Sequence, residues 1–110
     1  MGKLDRQELL KSFIQEEPDN PFNHYALALE IREKDPIQAI EIFDFVLEKF
    51  PDYLPTYFPA AQLFFEENQL EKAKSTYEKG IELAKTQNES KALKELQNAF
   101  QNFLFETDMD

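Results

Sequence analysis

Tyr57-Phe58-Pro59-Ala60-Ala61-Gln62-Leu63-Phe64, followed after a turn by Ala73-Lys74-Ser75-Thr76-Tyr77-Glu78-Lys79-Gly80, is the stretch that decides the fold. Its small and aromatic residues fall three and four apart, the spacing of one helix face. The second segment has a counterpart upstream. Ala39-x-x-x-Phe43-x-x-Val46 aligns with Ala73-x-x-x-Tyr77-x-x-Gly80 at a separation of 73 − 39 = 34 residues. Leu27-Ala28 likewise aligns with Ala60-Ala61, although Ala28 to Ala39 is 11 residues and Ala61 to Ala73 is 12. The first helix of the first copy is therefore expected to be one residue shorter. Helix-spaced residues returning at this interval point to a stacked helical repeat.

Punctuation divides the chain the same way. Asp35-Pro36-Ile37-Gln38 places an acid at the N-cap, Pro at the first helical position and Gln where a capping box reaches back. Asn20-Pro21 repeats the cap-then-Pro arrangement, and Asp5 with Glu8 marks another start. Asn68 lies between two helical patterns, where a left-handed residue closes a helix. Apolar spacing between these signals predicts six helices at about 5–16, 21–34, 36–49, 55–67, 69–85 and 90–105. The last carries Leu93, Leu96, Phe100, Phe103 and Leu104 in one stripe. The acidic end, Glu106 to Asp110, is expected to fray. Pro59, four residues after Pro55, conflicts with an early start of the fourth helix. A late start, with Pro59 in the first turn, resolves the conflict.

Tyr57-x-x-Ala60-Ala61-x-x-Phe64 with Ala73-x-x-x-Tyr77-x-x-Gly80 resembles the tetratricopeptide repeat. The first copy matches through Leu27, Ala28, Ile31, Ala39, Phe43, Val46 and the closing Pro51, with His24 where the family prefers Trp. Glu17-Pro18-Asp19-Asn20-Pro21 resembles a junction between repeats, so the first helix reads as the remnant of a truncated one. The resemblance implies an all-α fold, a right-handed superhelix of antiparallel helix pairs. It implies a single domain over 1–110, divided into an N-terminal helix (1–19), repeats at 21–53 and 54–87, a capping helix (88–105) and an acidic tail (106–110). Ala28, Ala39, Ala61, Ala73 and Gly80 should let helices approach closely, with Phe43, Phe64 and Tyr77 filling the spaces between them. The terminal helix should cover the second repeat's core.

Composition narrows the function. Apolar residues make up 42% of the chain, enough for a packed core, and the low glycine count (2) suits helices better than sheets. The formal charge of −10 repels phosphate backbones and anionic lipid, and no Lys/Arg cluster stands clear of acids, so neither nucleic acid nor membrane is an expected partner. Without Cys there is no disulfide and no thiolate metal site. The charged start Met1-Gly2-Lys3-Leu4-Asp5-Arg6 lacks the apolar run of a signal peptide, and nothing approaches a membrane span. A cytoplasmic, bacterial protein is the expectation, and the Asn88-Glu89-Ser90 sequon reads as a polar loop.

Catalytic chemistry has little to work with. His24 is the lone histidine and no motif surrounds it, so it reads as a packed or helix-surface side chain. The carboxylate pairs Glu16-Glu17, Glu66-Glu67 and Asp108/Asp110 lack calcium-loop spacing, and a second histidine for a transition metal is missing. Gly2 and Gly80 make no phosphate loop, and Ser12, Ser75 and Ser90 sit in no nucleophile elbow. No enzyme, cofactor or metal is expected.

The surplus is aromatic: eleven Phe and four Tyr. In the family the concave groove is lined by first helices. The resemblance therefore implies a partner-binding groove built from Phe22, Tyr25, Leu29 and Arg32 together with Phe58, Gln62 and Phe65. A peptide or helix of another protein would seat an aromatic anchor there, with Arg32 as a polar contact. The alternative is that the end helices fold over these rings. Where chaperone-binding members carry a Lys and Asn clamp for a terminal carboxylate, this chain has Tyr25, Leu29, Phe58 and Gln62, so acidic chaperone tails are not implied. A second patch, Ile42 and Phe45, is expected on the convex side, where the second repeat has Thr76 and Lys79. It would serve self-association of two copies, unless the first helix or a tilt covers it.

Overall fold

The computed structural model describes residues 5–109. The expectation for Met1–Leu4, including the start of the proposed N-terminal segment, and that for Asp110 lie outside the described residues. Among them are six α-helices and no strand: α1 (Arg6–Glu16), α2 (Pro21–Ile31), α3 (Pro36–Lys49), α4 (Tyr57–Glu66), α5 (Leu70–Thr86) and α6 (Ser90–Thr107), with a 3-10 turn at Leu54–Thr56 before α4. The chain forms two compact units that part between Thr56 and Tyr57. In the first, α2 packs against both α1 and α3; in the second, α5 packs against both α4 and α6.

Helix starts in the first unit are set by side-chain caps. The Asp5, Asn20 and Asp35 side chains accept from the amides of Gln7 (3.2 Å), Phe22 (3.1 Å) and Gln38 (3.1 Å). The Gln38 side chain makes no return bond among the described residues, so the expected capping box is only half formed. The first helix of the first copy is not the shorter one: α2 has 11 residues and α4 has 10, because the 3-10 turn takes the residues before Tyr57. Two helix ends also differ from expectation by two residues or more. α2 stops at Ile31 rather than residue 34: Asp35 precedes Pro36, which disfavours the helical region there, and takes a non-helical conformation (φ −140°, ψ 73°), with its amide returning to the Ile31 carbonyl at 2.8 Å. α6 continues to Thr107, so Glu106 and Thr107 are helical rather than frayed; the Thr107 hydroxyl donates to the Phe103 carbonyl at 2.7 Å. The fourth helix starts late, as Pro59 requires, with that residue third in α4 and Pro55 inside the 3-10 turn.

The second unit reverses direction twice by one device. Asn68 and Asn88 both adopt left-handed conformations (φ 62° and 59°). At the first turn, Asn68 N–H donates to Phe65 and Gln69 N–H to Phe64; at the second, Asn88 donates to Lys85 and Glu89 to Ala84. These paired bonds form a Schellman motif at each helix end, satisfying carbonyls the helix leaves open.

Burial follows the small-and-aromatic pattern. Ala28, Ala39, Phe43 and Val46 are fully buried in the first unit, and Ala60, Ala61, Phe64, Ala73 and Phe103 in the second. Each large side chain so buried contributes roughly 1.5–3 kcal/mol. Gly80 marks the tightest approach, since a β-carbon there would lie 2.8 Å from Tyr57 Cβ. α6 supplies Leu96 and Phe103 to this core, and Tyr77 packs against Phe100 and Phe103 (centroids 5.6 and 5.5 Å).

Candidate functional site

The Asn20 cap and Pro21 fix where α2 begins, and that start puts Phe22 in its first turn with 53% of its surface exposed. From there Phe22, Tyr25, Leu29 and Arg32 follow at three- and four-residue steps along one helix face. The Phe22 and Tyr25 rings lie 6.2 Å apart at 50°, and Tyr25 meets Tyr53 edge-on at 5.7 Å and 70°. Leu29 and Arg32 are half-buried further along. The result is a row of three aromatic rings ending in two hydroxyls. Burial, and then the neighbouring Tyr25 oxygen, raise the Tyr53 hydroxyl above its usual value of 10.0, so it is a neutral donor near pH 7.

Tyr53 was not among the residues the sequence singled out. It sits in the turn after Phe50-Pro51, its amide donating to the Phe50 carbonyl at 3.0 Å, and helical periodicity carries no signal for a turn residue. A Tyr two residues after the repeat-closing Pro was the one available clue.

In the second unit the corresponding positions are Phe58, Gln62 and Phe65 on α4. Gln62 is exposed, while Phe58 and Phe65 are half-buried. The Phe65 ring stands perpendicular to Phe103 of α6 at 5.1 Å, so the last helix does press on one of the candidate rings.

The opposite side of α2 accounts for His24. Its Nε2–H donates to the Pro18 carbonyl at 2.9 Å, which places the proton on Nε2 because a carbonyl only accepts. The ring rests 4.8 Å from Phe45 and 6.3 Å from Phe50. This is a packed histidine tying α2 to α3, with no carboxylate or nucleophile bonded to it among the described residues. Phe45 keeps 42% exposure, leaning on His24 and Phe50, and Ile42 is half-buried. The comparison that placed Thr76 on an outer face needs correction: Thr76 is buried, its hydroxyl donating to the Lys72 carbonyl at 2.7 Å, a bond that lets a hydroxyl leave water cheaply.

A polar hollow of about 180 Å³ lies where α1, α2 and α3 converge, lined by Asp5, Glu30, Lys34 and Asp35 among others. Both aspartates are committed to helix caps, and Glu30 pairs with Arg6 at 3.3 Å. Among the described residues no cluster of three His, Asp or Glu is arranged to hold a metal, and no helix is long and apolar enough to cross a membrane.

Helix hairpins built on a shared pattern of alanines and rings, recurring at the same interval, have a match among known families. A model of the tetratricopeptide repeat matches residues 30–98. The chain belongs to the tetratricopeptide-repeat family. Two solved structures agree with this assignment. The solution structure of a tetratricopeptide repeat domain protein from Salinibacter ruber is 34% identical, covering 79% of this chain and 89% of its own, with a TM-score of 0.73. A crystal structure of a tetratricopeptide repeat domain protein from the same organism is 35% identical, covering 76% and 96%, with a TM-score of 0.72. No curated protein matches the chain. Tetratricopeptide repeats are scaffolds for protein interaction, and this chain has their all-α fold.

Proposed function

We propose that this tetratricopeptide-repeat chain is a non-enzymatic interaction module that captures an apolar segment of another protein on the aromatic faces of its first helices. One observation carries the reading: Phe22, more than half exposed, stands in line with Tyr25 and Tyr53 at the capped start of α2. Rigid aromatic side chains with few rotors lose little entropy when covered, which is why rings of this kind anchor interfaces. Leu29 and Arg32 extend that face, and Phe58, Gln62 and Phe65 take the same role on α4.

The test compares partner capture by wild type, Phe22→Ala and the Tyr25→Ala/Phe65→Ala double variant. Phe22 is exposed, so its loss leaves helicity and melting unchanged while weakening capture at least tenfold, about 1.4 kcal/mol; the double variant abolishes it. Capture indifferent to all three changes overturns the proposal.

A second reading gives Ile42 and Phe45 a self-association role, carried by the exposure of Phe45 together with Ile37, 61% exposed on the same helix. Loss of association in Phe45→Ser supports it, and association that ignores the substitution removes it.

A further inference from the structure

Along α6, Lys91, Lys94, Asn98, Gln101, Phe105 and the cap residue Asp108 are all exposed, Phe105 at 85%. Their steps alternate between three and four residues, so they form one line on the side opposite the buried Leu96 and Phe103. Among the described residues, none of these six side chains has a hydrogen bond, ion pair or ring partner.

The charges on this line run against the helix. Within the helix the first turn carries Lys91 and no acid, although the N-cap residue before it is Glu89; at the other end Asp108 caps the helix beside Glu106, with no base in the last turn. A cation at the N-terminus and an anion at the C-terminus both oppose the helix dipole. The middle has no charge at all: none of the residues from Leu96 to Phe105 is charged, in a chain that is 31% charged. A second copy carries the same −10 and is repelled across most of the surface, so an uncharged strip flanked by opposite signs is where two copies can meet.

We propose that α6 is a dimerisation helix that pairs antiparallel with α6 of a second copy, about a two-fold axis between Asn98 and Gln101. In that register Lys91 faces Asp108 of the second copy, Lys94 lies over its Phe105, and the Asn98 amide meets its Gln101. Each contact is made twice, as an isologous interface requires. The lysine-bearing start of each helix then lies beside the acidic end of the other, which offsets the misplaced charges and aligns the dipoles favourably. A parallel pair sets Lys against Lys and Asp against Asp. A uniformly basic or acidic partner satisfies only one end of the line. The occupant that answers the whole sequence of charges is the same helix reversed. Apolar area is confined to Phe105 and the lysine stems, so the dimer is weak, with Kd on the order of 100 µM.

Sedimentation equilibrium of the full chain from about 10 µM to about 1 mM tests this directly. A monomer–dimer equilibrium is expected, weakened at least tenfold by Phe105→Ala and reduced by Lys91→Glu or Asp108→Lys alone. Lys91→Glu combined with Asp108→Lys in one chain restores association toward the wild-type level. Circular dichroism checks that each variant keeps its helices, as exposed positions allow. A strict monomer at every concentration overturns the proposal. A dimer indifferent to Phe105→Ala does so too, since it uses another face, and so does a double variant no tighter than the singles.

Discussion

Gly80 and Tyr57 meet more closely than any β-carbon permits. Adding a methyl group at Gly80 improves helix propensity by about 1 kcal/mol, yet the clash is with Tyr57 Cβ, an atom fixed to the backbone. Overpacking of this kind costs about 1–3 kcal/mol, so Gly80→Ala is expected to lower stability by about 1 kcal/mol net, read as a reduced urea midpoint at unchanged slope. The smallness of this position was legible from the tetratricopeptide-repeat pattern that Ala73, Tyr77 and Gly80 resemble, but the identity of the neighbour was not. Tyr53 and Tyr77 give a pH signature. Burial raises both hydroxyls above 10.0, assisted by Tyr25 for the first and Glu66 for the second. Above pH 10 the unfolded chain releases these protons while the folded chain retains them. Stability from these groups is thus complete below pH 10 and declines as pH rises past it. Melting temperature measured between neutral pH and about pH 11 should fall, and fall less when both are replaced by Phe.

Elements are joined by residues whose conformations a helix pattern cannot express. Asn68 was readable as a left-handed closer, whereas Asn88, with the same φ and the same paired bonds, looked only like a polar loop because no strong apolar pattern resumes until Leu93. Replacing Asn68 with Gly should leave stability unchanged or slightly raised, while Asn68→Val should cost about 1–2 kcal/mol, checked by thermal melts. Thr56 ends the 3-10 turn with a buried hydroxyl that has no hydrogen-bond partner among the described residues. One amide that a hydroxyl at this helix start ordinarily meets is absent, because the third residue of α4 is Pro59. Thr56→Val removes the stranded group at constant shape and should raise stability by about 1 kcal/mol, seen as a higher melting temperature.

Across the molecule, the 34-residue recurrence exposed the helical-repeat architecture because close packing of helices demands small residues at fixed steps, and Ala28, Ala39, Ala61 and Ala73 are indeed fully buried. The candidate aromatic face was legible only in part. Phe22 and Tyr25 lie on a helix and declare themselves by spacing; Tyr53 reaches them from a turn, and the contact of Phe65 with Phe103 joins residues whose separation no periodicity encodes. The role of α6 in covering its unit was foreseeable from its apolar stripe. Ending the chain at Asn88 removes Leu96 and Phe103 from the second unit's core and strips Tyr77 of both ring neighbours. Loss of helical signal beyond α6's own share, with rapid proteolysis of α4 and α5, is the expected result. The Asn-closed reversals of the second unit have a further consequence, in time rather than in stability. Each is sealed by amides bonding to carbonyls only three to five positions back, so its hairpins close without a long search for distant partners. Refolding after dilution from denaturant should be correspondingly swift, with α4–α5 and α5–α6 zipping from their Asn hinges outward.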